Sequence, residues 1–271
     1  MALQIQNSRS LIAPDNLKLK ILVYALPGMG KTTWAATAPD PGFVACETGH
    51  GAGLMSIAQS GVEFVVPANI KDLELIASGM VFKDKATLVG DSLSDMARTF
   101  IKDYALSIPR KKGETEKRKA GVPELDDYGV MGEVTRRLVR KFLDMDKHVI
   151  FTATERYQQP DEDSPGSELL IGPDLPGQMF LGSTAMFDLV LRMRTRTKFR
   201  DPKDAKSRYI ERYFITASNG ATIAKCRSSL NNQSLLPPEI VVDYQTGEGT
   251  FPYLLKLVQD QYRAFLAAQP Q

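Results

Sequence analysis

Leu19-Lys20-Ile21-Leu22-Val23-Tyr24 runs straight into Ala25-Leu26-Pro27-Gly28-Met29-Gly30-Lys31-Thr32, an apolar stretch feeding a glycine-bearing turn that ends in a lysine and a hydroxyl. A strand that delivers the chain to a tight turn can aim backbone N–H groups inward at a polyphosphate. Residues without a Cβ, here Gly28 and Gly30, suit that turn. The segment from Lys31 to Ala38 is helix-compatible, and a helix N-terminus stabilises negative charge. Lys31 is then placed to reach β- and γ-phosphates, and the Thr32 hydroxyl to ligate magnesium. Pro27, Gly28, Met29, Gly30, Lys31, Thr32 and Thr33 form the expected cradle. Ala25 stands where glycine is the stricter form, but it only ends the strand. Nucleotide binding is the first expectation.

Composition is compatible with this. The 271 residues are 43% apolar, enough for one sizeable α/β core or a core with a small appendage. No apolar run approaches the roughly 20 residues of a membrane span, and Met1 to Asn7 lacks the order of a signal peptide. The expected location is the cytoplasm. Cys46 and Cys226 are far apart without metal-ligand spacing, so they read as reduced thiols. His50 and His148 have no support as metal ligands. The net charge of +2 conceals local asymmetry.

Leu19 to Tyr24, Phe43 to Cys46, Glu63 to Val66, Thr87 to Gly90 and His148 to Ala153 read as short buried strands separated by helical stretches. In Ser92 to Leu106, Leu93, Met96, Ala97, Phe100, Ile101 and Tyr104 form one helix face. In Val130 to Met145, Val130, Val134, Leu138, Phe142 and Met145 do the same. Such alternation predicts a mainly parallel sheet with helices on both faces and ligand sites at the carboxyl ends of the strands. From Met186 the pattern becomes β-rich, ending in an amphipathic helix from Tyr253 to Leu266.

Thr87-Leu88-Val89-Gly90-Asp91 is an apolar strand ending in a carboxylate, the form required of the acid that holds magnesium. Asp91 is assigned that role. Ser92 follows it, so a water-activating base must lie elsewhere. Glu47, just past the strand ending at Cys46, comes to the same sheet edge and is placed to polarise a water; the alternative is a surface turn carboxylate. The chain lacks the Asn/Thr-Lys-x-Asp sequence that reads guanine, which favours ATP, with Mg2+, as the ligand.

These motifs, in the order phosphate loop, Phe43-Val44-Ala45-Cys46-Glu47, Leu88-Val89-Gly90-Asp91-Ser92, then Val149-Ile150-Phe151-Thr152-Ala153-Thr154, resemble the ATPase core of RecA-type recombinases. The chain looks most like phage ATP-binding proteins of the Sak group, regarded as annealing or recombination proteins. The resemblance covers about residues 18 to 230. It implies Glu47 as base, magnesium beside the Asp91-Ser92 pair, and a γ-phosphate sensor at Thr154, where glutamine is often found in relatives. Gly90 stands where a branched aliphatic residue is usual. Ala221 to Arg227 reads as a strand that projects Lys225 and Arg227 to one side. In RecA-like and KaiC-like ATPases a similar pair reaches the γ-phosphate of the neighbouring subunit, implying a homo-oligomer, ring or filament, with ATP at subunit interfaces. A solvated strand end is the alternative.

Charge placement bears on nucleic acid. Arg192 to Arg200 alternates so that an extended chain aligns Arg192, Arg194, Arg196, Lys198 and Arg200 on one face. Asp201 to Lys206 then reads as a turn and Tyr209 to Thr216 as a returning strand, giving a basic hairpin with Phe199, Tyr209 and Tyr213 available for stacking. A second basic segment carries Arg110, Lys111, Lys112, Lys117, Arg118 and Lys119, in the place of a DNA-contacting loop of the recombinases. Both segments also fit ordinary solvated faces. Against DNA stands Gln158 to Gly177, with Asp161, Glu162, Asp163, Glu168 and Asp174 and no Lys or Arg.

The expected architecture is an α/β, RecA-like P-loop NTPase core with a mainly parallel sheet flanked by helices, plus a basic β-hairpin and a C-terminal helix. Residues 1–17 are an N-terminal extension suited to an oligomerisation arm, 18–250 the ATPase domain with hairpin 186–216, and 251–271 a C-terminal helix and tail. The expected function is a Mg-dependent ATPase acting on single-stranded DNA in phage recombination, annealing or replication, with a single-stranded-DNA-binding protein as a further partner. Two other readings stay open: a KaiC-like regulatory ATPase acting on a protein partner, and an ATP-stabilised assembly module with negligible turnover.

Overall fold

The innermost apolar runs become strands whose side chains of both parities find cover. In this computed structural model, which describes residues 13–47, 49, 51–109, 121–160, 169–226, 229–230 and 233–268, the first five strands are β1 (Lys20–Ala25), β2 (Pro41–Ala45), β3 (Glu63–Val65), β4 (Thr87–Asp91) and β5 (His148–Gln158). They are followed by β6 (Leu170–Pro173), β7 (Leu189–Phe199), β8 (Arg208–Ile215), β9 (Lys225–Cys226), β10 (Ser229–Leu230), β11 (Gln233–Ser234) and β12 (Glu239–Val242). The main sheet runs β12-β8-β7-β1-β5-β4-β2-β3. From β7 to β3 every neighbouring pair is parallel, whereas β8 on β7, β12 on β8, β6 on β5 and β9 on β7 are antiparallel. The β1 strand thus lies between β5 and β7, and β5 separates it from β4.

Period-two alternation assigns the two faces. Ile21, Val23, Phe43, Val89, Ile150 and Leu189 pack against Trp34 and Ala35 of α1 (Lys31–Ala35). Leu22, Tyr24, Val44, Leu88, Val149 and Phe151 pack against helices on the opposite face. Those are α2 (Ile70–Ala77), α3 (Leu93–Met96), α4 (Lys102–Ser107) and α5 (Leu125–Leu143), with the short α6 (Met179–Gly182) beyond them. The expected single helix from Ser92 is divided: a π-helical turn, Ala97–Ile101, joins α3 to α4. The α5 helix starts five residues before the apolar stripe suggested, because Glu124 and Asp127 form a capping box there. At the C-terminus, α7 (Phe251–Ala267) folds back on α1, where Trp34 Nε1 donates to Gly249 O at 2.8 Å and Phe251 N donates to Thr37 Oγ1 at 3.0 Å.

Two local expectations change. The stretch from Ala221 is not one strand: Thr222 makes an isolated bridge to Ile171, and only Lys225–Cys226 pairs with β7. The acidic segment after β5 is not all loop, since β6 turns back along β5. Among the described residues, no helix is long and apolar enough to cross a membrane.

His148 at the start of β5 links stability to pH. Its Nδ1 accepts the Leu19 N–H at 3.1 Å, and its ring meets Phe251 edge-on. Burial, with Lys18 and Lys20 nearby, pushes its pKa from 6.5 to about 4. The unfolded chain therefore binds the proton more readily, so this contribution is complete above pH 6.5 and is lost as pH falls toward about 4. Thermal unfolding should show the melting temperature dropping across that window in wild type and dropping less in His148→Asn.

Candidate functional site

The carboxyl ends of β1, β2, β4 and β5 meet above α1. Gly28 (φ 77°) and Gly30 (φ 99°) turn the chain out of β1 in the left-handed region, which side chains with a Cβ rarely adopt. Pro27, Gly28, Gly30, Lys31, Thr32, Thr33, Glu47, Gly53, Ser56, Ser92, Thr154 and Arg212 line one cleft of about 500 Å³, within the range of ordinary ligand sites. Met29 contributes to the loop through its backbone, its carbonyl accepting from Arg212 Nε at 3.1 Å.

The sheet register brings the chemistry together. Ala45 lies opposite Asp91, and Gly90 opposite Phe151, so Asp91 and Thr152 are at one level. By alternation, Glu47, Asp91, Thr152 and Thr154 share the α1 face with the phosphate loop. Thr32 Oγ1 donates to one Asp91 carboxylate oxygen at 2.8 Å, and the Thr152 hydroxyl donates to the other. Asp91 is thereby tied to the loop across the intervening strand β5. Ser92, joined to Asp91 by a cis peptide, donates to Asp95. The Thr154 side chain faces the cleft while its N–H donates to Ser94 Oγ at 3.0 Å. Thr152, which sequence reasoning passed over, is the β5 threonine that touches Asp91.

Electrostatics fit a polyphosphate with a cation. Lys31 Nζ donates to the carbonyls of Ala25 and Leu26 at 3.2 Å each. Burial lowers its pKa, while Asp91 and Glu47 pull it back up. Asp91 is raised by burial, against the pull of its hydrogen bonds from Thr152 and Thr32 and of the Lys31 charge. Glu47 is raised by burial and then by Asp91 and Asp95. Crowded, partly desolvated carboxylates favour a cation between them and the phosphates. Among the described residues no three His, Cys, Asp or Glu side chains form a metal cluster. A magnesium held by Thr32 and Asp91 would take its other ligands from phosphate and water, as that ion commonly does.

The cationic stripe is not what alternation alone suggested. Arg200 lies beyond the strand, whereas Arg192, Arg194, Arg196 and Lys198 share one face of β7, the face opposite α1. There Arg192 is buried and makes a bidentate pair with Glu155, at 2.7 and 3.0 Å, and a 2.8 Å bond to Thr222. It is unavailable to a nucleic acid. Arg196 pairs with Glu211 (2.5 Å) and Glu239 (2.6 Å) and lies over the Tyr213 ring, and Lys198 Nζ is 3.9 Å from Glu211. Arg194 and Arg200 are exposed. The Lys225 side chain is not at the phosphate loop of its own chain: its Nζ donates to the Thr184 and Ala185 carbonyls at 3.0 and 3.2 Å. Arg227, Arg110, Lys111, Lys112, Lys117, Arg118, Lys119, Asp161, Glu162, Asp163, Glu168 and His50 lie outside the described residues. Asp174 is ion-paired with Arg98.

The profile of a protein family described as "AAA domain" matches residues 17–228. Among solved structures, the flagellar accessory protein FlaH from Methanocaldococcus jannaschii is similar with a TM-score of 0.40, at 12% identity over 85% of this chain and 88% of that one. A KaiC-like protein from Pyrococcus horikoshii OT3 gives a TM-score of 0.38, at 16% identity over 73% and 77% of the two chains. A search of curated proteins finds no match.

Proposed function

Since the chain belongs to the AAA-domain family, we propose that it is a magnesium-dependent ATPase whose hydrolysis serves single-stranded DNA in phage recombination, annealing or replication. The observation that carries the ATPase reading is the grip of Thr32 on Asp91, which fastens the phosphate loop to a strand-end carboxylate, with Glu47 in the same cleft. Lys31 binds the phosphates, Thr32 and Asp91 hold the metal, Glu47 accepts a proton from the attacking water, and Thr154 faces the γ-phosphate end. A magnesium held there would supply charge neutralisation at the phosphates. In the proposed oligomer, Lys225 and Arg227 act on the nucleotide of the adjacent subunit. That asks Lys225 to exchange the Thr184 and Ala185 carbonyls for a phosphate.

The DNA part of the proposal is supported by the outer half of the β7–β8 hairpin. Phe199 and Tyr209 are exposed there, each opposite a cation in the ladder, Arg208 and Lys198 respectively. Exposed aromatics among cations suit a single strand, through stacking and phosphate contact.

ATP hydrolysis by wild type and Lys31→Ala, with and without single-stranded DNA over a range of salt, tests both parts. Wild type should turn over ATP, be stimulated by DNA and lose DNA binding as salt rises, and Lys31→Ala should lose turnover by about 10²-fold or more. Robust hydrolysis indifferent to DNA would transfer the proposal to a regulatory ATPase acting on a protein partner. Hydrolysis unaffected by Lys31→Ala would overturn it.

A further inference from the structure

Arg212 is the cation that the hairpin's returning strand brings to the cleft. It lies opposite Thr195 on β7 and Val242 on β12. Alternation puts it on the α1 face with Phe214, away from the Arg192–Arg200 stripe. Its Nε donates to Met29 O at 3.1 Å, and a Cβ added at Gly30 would stand 3.1 Å from the same nitrogen. Glycine at position 30 thus serves the approach of this side chain as well as the turn. A guanidinium carries five N–H donors, and the bond to Met29 uses one of them.

The absence of a counter-ion distinguishes it from Arg192 and Arg196, the other partly or fully buried arginines of the hairpin. Arg192 has Glu155, and Arg196 has Glu211 and Glu239. Among the described residues no carboxylate pairs with Arg212, although it is partly buried at the rim of the cleft. A cation held partly out of water without a partner is costly, and an anion in the cleft would offset that cost. The nearby phenol of Tyr244, raised by burial, is drawn back down by the Arg212 charge.

We infer that Arg212 is a phosphate-binding residue contributed within the same chain, directed at the α- and β-phosphates of the nucleotide. The sheet order supplies the direction. Asp91, which ends β4 and marks the metal, and Glu47, which follows β2 and marks the attacking water, lie on one flank of β1. Arg212 comes from β8 on the other flank, beyond β7. A nucleotide laid along the loop with its γ-phosphate toward the carboxylates presents its remaining phosphates to Arg212. The inference rests on the ATP reading above and adds a residue to it.

The test is calorimetric titration of wild type, Arg212→Gln and Arg212→Lys with ATP and with ADP, after unfolding curves without nucleotide have matched the three proteins. Gln keeps an N–H donor for Met29 but no charge, and Lys keeps the charge. Arg212→Gln should weaken ATP and ADP alike by about 10- to 100-fold, the scale of a charge-assisted contact, and Arg212→Lys should recover much of the loss. Equal losses in the two variants would show that the charge at position 212 is not what holds the phosphates and overturn the inference, as would binding unchanged in both. A loss confined to ATP would move Arg212 to the γ-phosphate and overturn its assignment. Wild type that binds neither nucleotide would remove the ATP reading itself, an outcome distinct from the others and fatal to both.

Discussion

Glu47→Gln is expected to lower ATP turnover by about 10²- to 10⁴-fold, the usual contribution of a positioned general base, while equilibrium ATP binding changes little. Glutamine has nearly the same size and still fits the cleft, but it cannot accept a proton from water. Space for the carboxylate is provided by Gly53, where a Cβ would collide with Glu47 Oε2. Burial and the charges of Asp91 and Asp95 raise the Glu47 pKa above the ordinary 4.5. A base acts only in its ionised form, so if Glu47 is the base, wild-type turnover should rise with pH through that raised value, and the variant should lack this limb. Single-turnover hydrolysis over pH, beside calorimetric ATP binding, measures both. Turnover retained in Glu47→Gln would assign this carboxylate to the turn after β2, with the base elsewhere.

The residues of the site differ in how visible they were before the fold was known. The loop from Ala25 to Thr32 declares itself because its chemistry depends on local spacing, and Asp91 because a carboxylate ending an apolar strand is locally anomalous. Thr152 gives no such signal. A threonine inside Val149 to Thr154 is an ordinary strand residue until the sheet order inserts β5 between the loop strand and β4, which makes it a bridge to Asp91. Arg192 shows the opposite error. Alternation correctly groups it with Arg194 and Arg196, but periodicity is silent on which end of a face is covered. Here Glu155 and Thr222 close over the inner end. Arg196 loses availability to Glu239 on β12, a neighbour that only the long-range pairing of β12 with β8 creates. Arg212 was missed for the same reason, because its reach to Met29 depends on β8 lying two strands from β1.

Gly90→Val is expected to cost about 3 kcal/mol or more of stability, at or beyond the upper end of ordinary overpacking, despite the preference of β-branched residues for strands. That preference is worth about 1 kcal/mol at most. At position 90 it is outweighed, because the Phe151 ring from the adjacent strand occupies the place a Cβ would take. The ring has nowhere to go: it is 1% exposed and held edge-on between Phe142 (centroids 5.5 Å) and Phe187 (6.0 Å). The glycine before Asp91 is therefore the complement of the aromatic ring in the strand beside it. Denaturant unfolding of Gly90→Val, Phe151→Leu and the double variant tests this as a cycle. The double variant should be more stable than the sum of the single losses by about 1 kcal/mol or more, as expected for residues in direct contact. Because Asp91 follows Gly90 directly, the single variant should also lose ATPase activity, and the double variant should regain part of it. Additive losses would mean that Phe151 yields space to the new side chain, and that packing does not explain the glycine.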